Sequence, residues 1–469
     1  MAAAPVLIST VQALDAFERV EVPVASVVLA GLVLAGAAVL LVVAPRRARS
    51  RRPAPPPPIS SPGQVDEVTD FLVALGEAMV DAGDPVTHVQ ESLVRVADSM
   101  GAGEVEVVVM ATALFVSVPG STATQTSVAS AGSRSLRLDQ VDDLFALVDE
   151  AEAGGWTAQA GLDRLAQIRG RPAPFPDPAR VLGYAVLTFG IALILRGSWL
   201  DVALATSLGL LVGLVEVAVR RLVPSLGVFL PVLASFGVAT TVFVAARLEP
   251  EVSVSTPLIA PLVIFLPGAL LTTAVIELST GQMISGAGRL GAGMMRLVLL
   301  AIGIVLGAQV TGVPTSALSQ AAQTPVPAWA PWVGVVLFGL GLVVHDCARP
   351  RSTGWILLVL YVAFAGQLVG GVLLGGVMSA FVGAVAMTPV ALLAARVPTG
   401  PPAIVSFMPA FWLLVPGALG LVGVAKYLGQ DRTLGAVSLL TSGTTMVAIA
   451  LGVLLAVTVS AGLSGRARR

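Results

Sequence analysis

The chain has 469 residues, 56% of them apolar and only 12% charged, and its mean hydropathy is +0.90. Soluble domains carry about a quarter charged residues, so this composition predicts an integral membrane protein. The 27 basic and 28 acidic residues nearly cancel, which gives no overall field for nucleic acid. One cysteine and two histidines exclude an internal disulfide and an ordinary zinc cluster.

The first apolar run, Val22–Ala44, is about as long as a bilayer is thick. Acidic residues such as Asp15 and Glu21 precede it, unlike the basic start of a signal peptide. The basic stretch Arg46–Arg52 follows it. By the positive-inside rule we predict a retained transmembrane anchor over residues 1–50, with the N-terminus outside.

A proline-rich linker, residues 51–63, leads into a segment of soluble composition, residues 64–178. Two amphipathic helices flank "AGDP", with Asp84 as predicted N-cap and Pro85 in the first turn. The runs "EVEVVVMATALFVSV" and "TATQTSVAS" predict two strands, and two further helices follow near residues 139–153 and 157–168. We predict a small α+β cytoplasmic domain.

From Arg180 onward the chain is almost continuously apolar, and nine breaks divide it into ten predicted spans. The loops on one side carry most of the basic residues, namely Arg220, Arg221, Arg289, Arg349, Arg351, Arg396 and the tail "RARR". The other side carries only Arg196, Arg247, Lys426 and Arg432. This asymmetry predicts a cytoplasmic C-terminus and a cytoplasmic α+β domain. No charge marks the break at Gly370–Gly371, so whether it separates two full spans stays open.

The two halves of this region resemble each other at a constant offset. "TFGIALIL" from Thr188 matches "LFGLGLVV" from Leu337 (337 − 188 = 149), and "PGAL" at Pro267 recurs at Pro416 with the same offset. The same offset of 149 residues separates Arg247 from Arg396 and Glu277 from Lys426. The second span of each half does not align. We predict five-helix repeats over 179–311 and 330–469, joined by an extracellular loop over 312–329.

Five is an odd number of spans, so the two halves must lie in opposite orientations. The predicted fold is therefore a polytopic α-helical membrane protein. It has two five-helix inverted repeats, a small α+β cytoplasmic domain and an extra N-terminal transmembrane anchor.

A Pro-Gly pair interrupts the fourth span of each half, at Pro267–Gly268 and at Pro416–Gly417. Proline in a helix interior costs about 3 kcal/mol or more, and lipid cannot satisfy the backbone groups that it frees. Secondary transporters place their solute sites at such paired breaks. A lone Pro-Gly pair favours a simple kink, whereas the symmetric pair favours a site for a small polar solute.

Two motifs resemble the threonine/serine exporter family: "AMVDAGDPVTHVQESLVRVADSMG" and "FLPGALLTTAVIELSTGQMISGAGRL". The resemblance covers about Val65 to Ala461, but Gln90 and Gln282 stand where acids are expected in relatives. It implies proton-driven export of threonine and serine across a bacterial plasma membrane. Related two-part systems imply the alternative of dicarboxylate export.

Several polar residues are candidates for the substrate and coupling site. Glu277 can couple protons, bind a substrate ammonium or pair with Arg289. Thr272 and Thr273, one turn past the break, bind either a substrate or their own helix. Lys426 occupies the position equivalent to Glu277.

Other polar residues favour structural roles. For Glu216 an ion pair with Arg220 is favoured over a proton relay. "TSGTT" (Thr441–Thr445) is expected to serve packing rather than to line a cavity, and His345 is expected in an interfacial loop. His88 is expected to be exposed on a helix of the soluble domain.

No nucleophile elbow and no P-loop are visible, so we predict neither an enzyme nor direct use of ATP, and no cofactor or metal. The expected partners are a small polar solute such as threonine or serine, protons as coupling ion, and the lipid bilayer. A membrane-anchored sensor or scaffold without transport is the remaining alternative. The exact substrate and the oligomeric state, including a homo-oligomer, stay open.

Overall fold

Apolar helices account for most of the chain in the computed structural model, which is 78% helical. It describes residues 23–43, 62–119, 124–132, 134–313, 322–397, 400–414, 416–428 and 432–466. Within these ranges, eight helices are long and apolar enough to cross a bilayer, and one bent pair adds a ninth span. The protein is therefore a multi-pass helical membrane protein.

The N-terminal apolar run forms helix α1, Val24–Val43. Its Ala30 is fully buried against Trp332 and Ala365, which belong to helices described below. Most of the remaining α1 surface is apolar and exposed, as expected for a helix that faces lipid. The proposed ends of the anchor, and all of the linker except its last two residues, lie outside the described residues.

An α+β unit follows. Its elements are α2 (Pro62–Asp81), α3 (Val86–Ser99), β1 (Glu106–Val109), β2 (Ala113–Pro119), β3 (Thr124–Ser130), α4 (Leu138–Glu152) and α5 (Ala158–Gly170). The three strands pair antiparallel in the order β1-β2-β3. Alternate residues of β2, Leu114, Val116 and Val118, are fully buried, so one face of the sheet packs on the helices.

The prediction of a single strand before the turn was wrong. The run folds back on itself at residues 110–112, where the Met110 N–H donates to the Ala113 carbonyl oxygen at 2.8 Å. Two strands result from one apolar run because the turn contains neither glycine nor proline to mark it.

The membrane helices of the first half are α6 (Asp177–Ile194), α7 (Trp199–Leu222), α8 (Leu230–Leu248), α9 (Ser255–Ile259), α10 (Gly268–Ser279) and α11 (Met283–Thr311). Those of the second half are α12 (Ala330–His345), α13 (Thr353–Leu374), α14 (Gly376–Ala394), α15 (Ala403–Leu414), α16 (Pro416–Leu428) and α17 (Arg432–Arg466). Between the halves, residues 314–321 lie outside the described part, and Val326 donates to the Gly197 carbonyl at 3.0 Å.

The break that the sequence placed at Gly370–Gly371 lies elsewhere. Helix α13 continues to Leu374, and Gly375, with φ of +88°, separates it from α14. A left-handed residue stops a helix, and glycine adopts that conformation without strain. Gly370 instead permits close packing, because a Cβ there would lie 2.8 Å from the Cβ of Val382 on α14.

Helices α6 and α12, the first of each half, cross at backbone contact. A Cβ on Gly190 would lie 2.3 Å from the backbone nitrogen of Phe338, and one on Gly341 would lie 2.3 Å from that of Leu187. Gly183 approaches Gly341, whereas Gly190 approaches Gly334, so the two helices run antiparallel. Glycine is required here because any side chain would separate the helices.

A packing contact in the first half recurs in the second with the offset seen in the sequence. A Cβ on Gly303 of α11 would lie 2.5 Å from the carbonyl oxygen of Val232 on α8. A Cβ on Gly452 of α17 would lie 2.8 Å from the carbonyl oxygen of Phe381 on α14. Gly452 and Phe381 each stand 149 residues after their counterparts (452 − 303 = 149).

Candidate functional site

The first Pro-Gly pair breaks its span sharply. The segments Ser255–Phe265 and Gly268–Ser279 are bent by 61° relative to each other. Pro267 is the N-cap of α10, and the first bond of the new helix runs from the Leu271 N–H to the Pro267 carbonyl at 2.9 Å. The N–H groups of residues 268–270 therefore have no acceptor within the helix. A new helix N-terminus is therefore formed at this break, inside the protein, which a simple kink would not create.

The span that contains the second Pro-Gly pair approaches the first break at Gly268. A Cβ there would lie 3.6 Å from the carbonyl oxygen of Phe411 and 3.9 Å from the indole Cδ1 of Trp412, both in the last turn of α15. Helix α16 begins at Pro416, but the side chains of Pro416 and Gly417 lie outside the described residues. The start of α10 and the end of α15 are thus direct neighbours.

Thr272 places an unused hydroxyl one turn from the break. Its side chain is fully buried, and its Oγ1 has no hydrogen-bond partner within the described part of the chain. Most membrane-helix hydroxyls here, such as those of Thr188 and Thr388, donate to the carbonyl four residues earlier. Thr273 is also buried, at 8% exposure. Thr272 is therefore available to a bound molecule.

Glu277 and Arg289 hold a turn of the α+β unit. The backbone N–H of Val86 donates to Glu277 Oε1 at 3.2 Å, and Arg289 Nε lies 3.2 Å from the same oxygen. Arg289 Nη2 also donates to the carbonyl oxygen of Asp84 at 3.1 Å. The predicted contact between Glu277 and Arg289 is present, and both side chains are buried. Glu277 Oε2 has no hydrogen-bond partner among the residues described.

The prediction that Asp84 caps α3 was wrong. The helix begins at Val86, with Pro85 at the N-cap position, and the Asp84 carboxylate instead bonds to Nδ1 of His88 at 2.7 Å. Burial raises the pKa of Asp84, while the hydrogen bond to Asp84 raises the pKa of the half-exposed His88. Glu277 supplies the acceptor for Val86 that Asp84 was expected to provide, because the Asp84 carboxylate is engaged with His88.

Glu216 lies in a second polar cluster, at the same end of the bundle. Its Oε1 is 4.0 Å from Arg220 Nη1, and its Oε2 is 3.5 Å from His345 Nε2. His345 is 3% exposed and packs on the ring of Tyr184, with centroids 4.9 Å apart. His345 is the last residue of α12, at a helix end as the sequence predicted, but it is buried rather than interfacial because the glycine-lined contact of α6 with α12 covers it. The structure does not bring this cluster to the break.

The remaining candidates lie in the second half. Lys426, near the end of α16, is 6% exposed. Thr441 and Thr445 donate to carbonyls four residues earlier in α17, at 3.0 and 2.7 Å. Their hydroxyls are thus used within the helix, in line with the predicted packing role of "TSGTT".

An acidic pair on α4, which the sequence analysis missed, fastens the α+β unit to the bundle. Asp142 accepts from Arg351 Nη2 at 2.8 Å and lies 3.2 Å from Arg349 Nη1. Asp143 contacts both Arg349 and Arg171. The sequence does contain a signal for this contact. Two adjacent acids lie on one helix of the segment of soluble composition, and two arginines lie in one loop between spans.

Residues 70–311 match a protein-family model described as "Putative threonine/serine exporter", just over half of the chain. The chain belongs to the threonine/serine exporter family. The matched range begins within α2 and ends with α11, so it contains the α+β unit from residue 70 onward, the break at Gly268 and the pair Glu277–Arg289.

One relative in the threonine/serine exporter family is a protein of Mycobacterium tuberculosis named "Probable threonine/serine exporter". It is 26% identical over 303 residues, which are 61% of this chain and 56% of the relative. The match therefore spans little more than half of that protein's length. No solved structure matches the chain.

Proposed function

We propose that the protein is a secondary transporter that exports threonine, serine or a similar small amino acid. The observation that carries this proposal is the helix N-terminus of α10, whose first N–H groups have no helical acceptor, beside the last turn of α15 in a bundle of mostly apolar helices. Free backbone groups at membrane depth persist only where protein, water or a bound solute satisfies them. A scaffold has no need of them, and membership of the exporter family adds support.

We also propose two inverted repeats, and a second equivalent packing contact supports them. A Cβ on Gly286 would lie 2.9 Å from the backbone nitrogen of Leu278, and one on Gly435 would lie 2.5 Å from that of Tyr427. Gly435 and Tyr427 follow their counterparts by 149 residues (435 − 286 = 149). Helix pairs that pack alike in both halves are expected of a repeat.

The antiparallel contact of α6 with α12 supports the inversion. Gly183 faces Gly341 and Gly190 faces Gly334, so in this antiparallel register residues 187–188 lie opposite residues 336–337. Positions 187 and 336 are themselves equivalent under the 149-residue offset. Equivalent points that face each other in antiparallel helices are typical of a local two-fold axis in the membrane plane.

In this proposal the α+β unit is cytoplasmic and the N-terminus lies outside. The basic loops and the α+β unit are at the same end of the bundle, since Arg289, Arg349 and Arg351 contact it directly. That arrangement agrees with the positive-inside rule for a bacterial plasma membrane.

We assign Glu277 to the inner end of the solute pathway rather than to the solute site. Glu277 lies nine residues along α10 from Gly268, roughly 13 Å at about 1.5 Å per residue. An α-amino acid bound at the break cannot reach that far with its ammonium group. The pair with Arg289 holds the Asp84–Val86 turn over the inner end, and protonation of Glu277 would remove its charge from that pair. Proton coupling through this contact is part of the proposal.

The test is flux of radiolabelled threonine in inverted membrane vesicles, with and without an imposed proton gradient. Vesicles from cells without the protein give the background, and radiolabelled succinate tests the dicarboxylate alternative. We expect threonine uptake above background that the gradient accelerates. Threonine uptake equal to the background would refute the export of threonine. Equal uptake with and without the gradient would refute proton coupling alone.

A further inference from the structure

Resting on the proposed function, we propose that the break at Gly268 recognises the zwitterionic head group of an α-amino acid. The amides at the start of α10 bind its carboxylate, carbonyl oxygens in the last turn of α15 bind its ammonium, and Trp412 is a contact residue. This gives the proposed solute site a binding mode and adds a site residue from the second half of the chain.

The carboxylate side of the site consists of hydrogen-bond donors. Residues 268–270 offer N–H groups without helical acceptors, at the positive end of the α10 dipole. The indole edge of Trp412 adds another donor, since its Cδ1 is 3.9 Å from the Cβ position of Gly268 and Nε1 is the adjacent ring atom. The structure records no hydrogen bond of that N–H to any described residue.

The ammonium side consists of acceptors. The carbonyl oxygen of Phe411 lies 3.6 Å from the Cβ position of Gly268, and a carbonyl has two lone pairs. Four residues after Trp412 the chain has Pro416, which lacks an N–H, so the Trp412 carbonyl loses its helical donor. These carbonyls lie towards the negative end of the α15 dipole, which favours a cation.

The positive N-terminal end of α10 and the negative C-terminal end of α15 therefore lie side by side. Such a pair of ends is complementary to a molecule that carries a negative and a positive charge a few ångströms apart. A dicarboxylate would place its second anionic group against carbonyl oxygens, which repel it. The unpartnered hydroxyl of Thr272 adds side-chain recognition. It lies one turn, about 5.4 Å, from Gly268, and helical side chains point back toward the N-terminus. A substrate hydroxyl can bind there.

Gly268 allows a sharp test. Contacts of 3.6 and 3.9 Å are ordinary packing distances, so a methyl group fits the empty protein but occupies the space of the solute. In Gly268→Ala we expect the threonine concentration at half-maximal flux to rise at least about 10-fold. A rise of that size corresponds to the loss of at least one charge-assisted hydrogen bond between the protein and threonine. Gly237→Ala is the matched control, because nothing lies within 4 Å of a Cβ on Gly237. Its flux should equal that of the wild type.

Wild-type vesicles provide a test that needs no variant. N-acetylthreonine lacks the ammonium, threonine methyl ester lacks the carboxylate, and succinate carries two carboxylates. Each should compete with labelled threonine at least about 10-fold more weakly than unlabelled threonine. Trp412→Phe keeps the ring and removes the N–H, and should weaken half-saturation about 3- to 10-fold.

Equal competition by threonine and the three analogues would overturn the inference while leaving threonine export intact. Wild-type half-saturation in both Gly268→Ala and Trp412→Phe would overturn it as well. Absence of threonine flux in the wild type would instead remove the proposed function, and this inference with it. If Gly268→Ala inserts poorly, the analogue series still decides.

Discussion

The carboxylate of Glu277 on a membrane helix caps the first turn of α3 through the backbone N–H of Val86, 191 residues earlier in the chain. Arg289 contacts the same carboxylate and the carbonyl oxygen of Asp84, so one ion pair holds the chain on both sides of Pro85. The turn has no acceptor of its own for Val86, since Asp84 is engaged with His88. The α+β unit and the bundle are therefore coupled at the inner end of the proposed pathway.

We predict that Glu277 and Arg289 are energetically coupled. Glu277→Gln keeps an acceptor for Val86 but loses the charge, and Arg289→Gln leaves a buried carboxylate without its cation. Each single variant should lower the free energy of unfolding in detergent. The double variant should cost less than the sum of the two singles, by about 1–3 kcal/mol. Strict additivity would contradict the coupling.

Glu277→Gln also separates the roles of Glu277 in transport. If Glu277 couples protons, Glu277→Gln should exchange threonine across the membrane but not concentrate it under a proton gradient. Loss of exchange and of gradient-driven flux together would indicate substrate binding instead, against the distance of roughly 13 Å from the break. Wild-type rates in both assays would remove Glu277 from the mechanism.

The sequence predicted the break at Pro267–Gly268 because proline and glycine act locally on the backbone. It did not predict the contact of Val86 with Glu277, since a backbone N–H has no sequence signature and its partner is distant. The turn at Met110–Thr112 was missed for a similar reason. At Gly370–Gly371 and Gly375 several glycines were available, and only the positive φ of Gly375 shows which one ends the helix.

Pro267→Ala and Pro416→Ala should impair threonine flux more than membrane insertion. Alanine restores a backbone donor at each position and lets the helix close over groups that are proposed to bind the solute. Flux per inserted molecule in vesicles, normalised by immunoblot, measures the effect. Unchanged normalised flux in both variants would mean that the prolines only bend their helices.

Gly190→Ala should destabilise the bundle. The new methyl group would lie 2.3 Å from the backbone nitrogen of Phe338, and backbone cannot yield as a flexible side chain can. Overpacking of this kind costs about 1–3 kcal/mol, which should lower the melting temperature in detergent. Gly237→Ala, in open space on α8, should melt like the wild type. Equal melting of the two variants would contradict the backbone contact of α6 with α12.

The turn that Glu277 grips should become less stable as the pH rises. The hydrogen bond to Asp84 raises the pKa of His88 above its ordinary 6.5, against burial and Arg95, while Glu152 adds to the increase. A raised histidine pKa stabilises the fold fully below about pH 6.5, and this contribution is lost as the pH passes the higher folded value. Burial also raises the pKa of Asp84, although His88 and Arg289 oppose it, and this too favours the turn at lower pH.

Hydrogen exchange of the α2–α3 turn measures this effect. Between about pH 6 and about pH 8, after correction for intrinsic exchange rates, protection of residues 82–89 should fall in the wild type. In His88→Gln the remaining pH dependence should be smaller, because the titrating partner of Asp84 is gone. An unchanged pH dependence in that variant would show that another group controls the turn.

The proposed topology predicts which thiols can be labelled from outside the cell. Thr10→Cys lies before the apolar run Val22–Ala44 in the sequence, whereas Ser135→Cys lies on an exposed stretch of the α+β unit, next to the start of α4. Both are made in a Cys347→Ala background, since Cys347 is the single native cysteine. A membrane-impermeant maleimide applied to intact cells should modify residue 10 and leave residue 135 unmodified until the membrane is permeabilised. The reverse pattern would invert every loop assignment, because the basic residues that contact the α+β unit would then face outward, against the positive-inside rule.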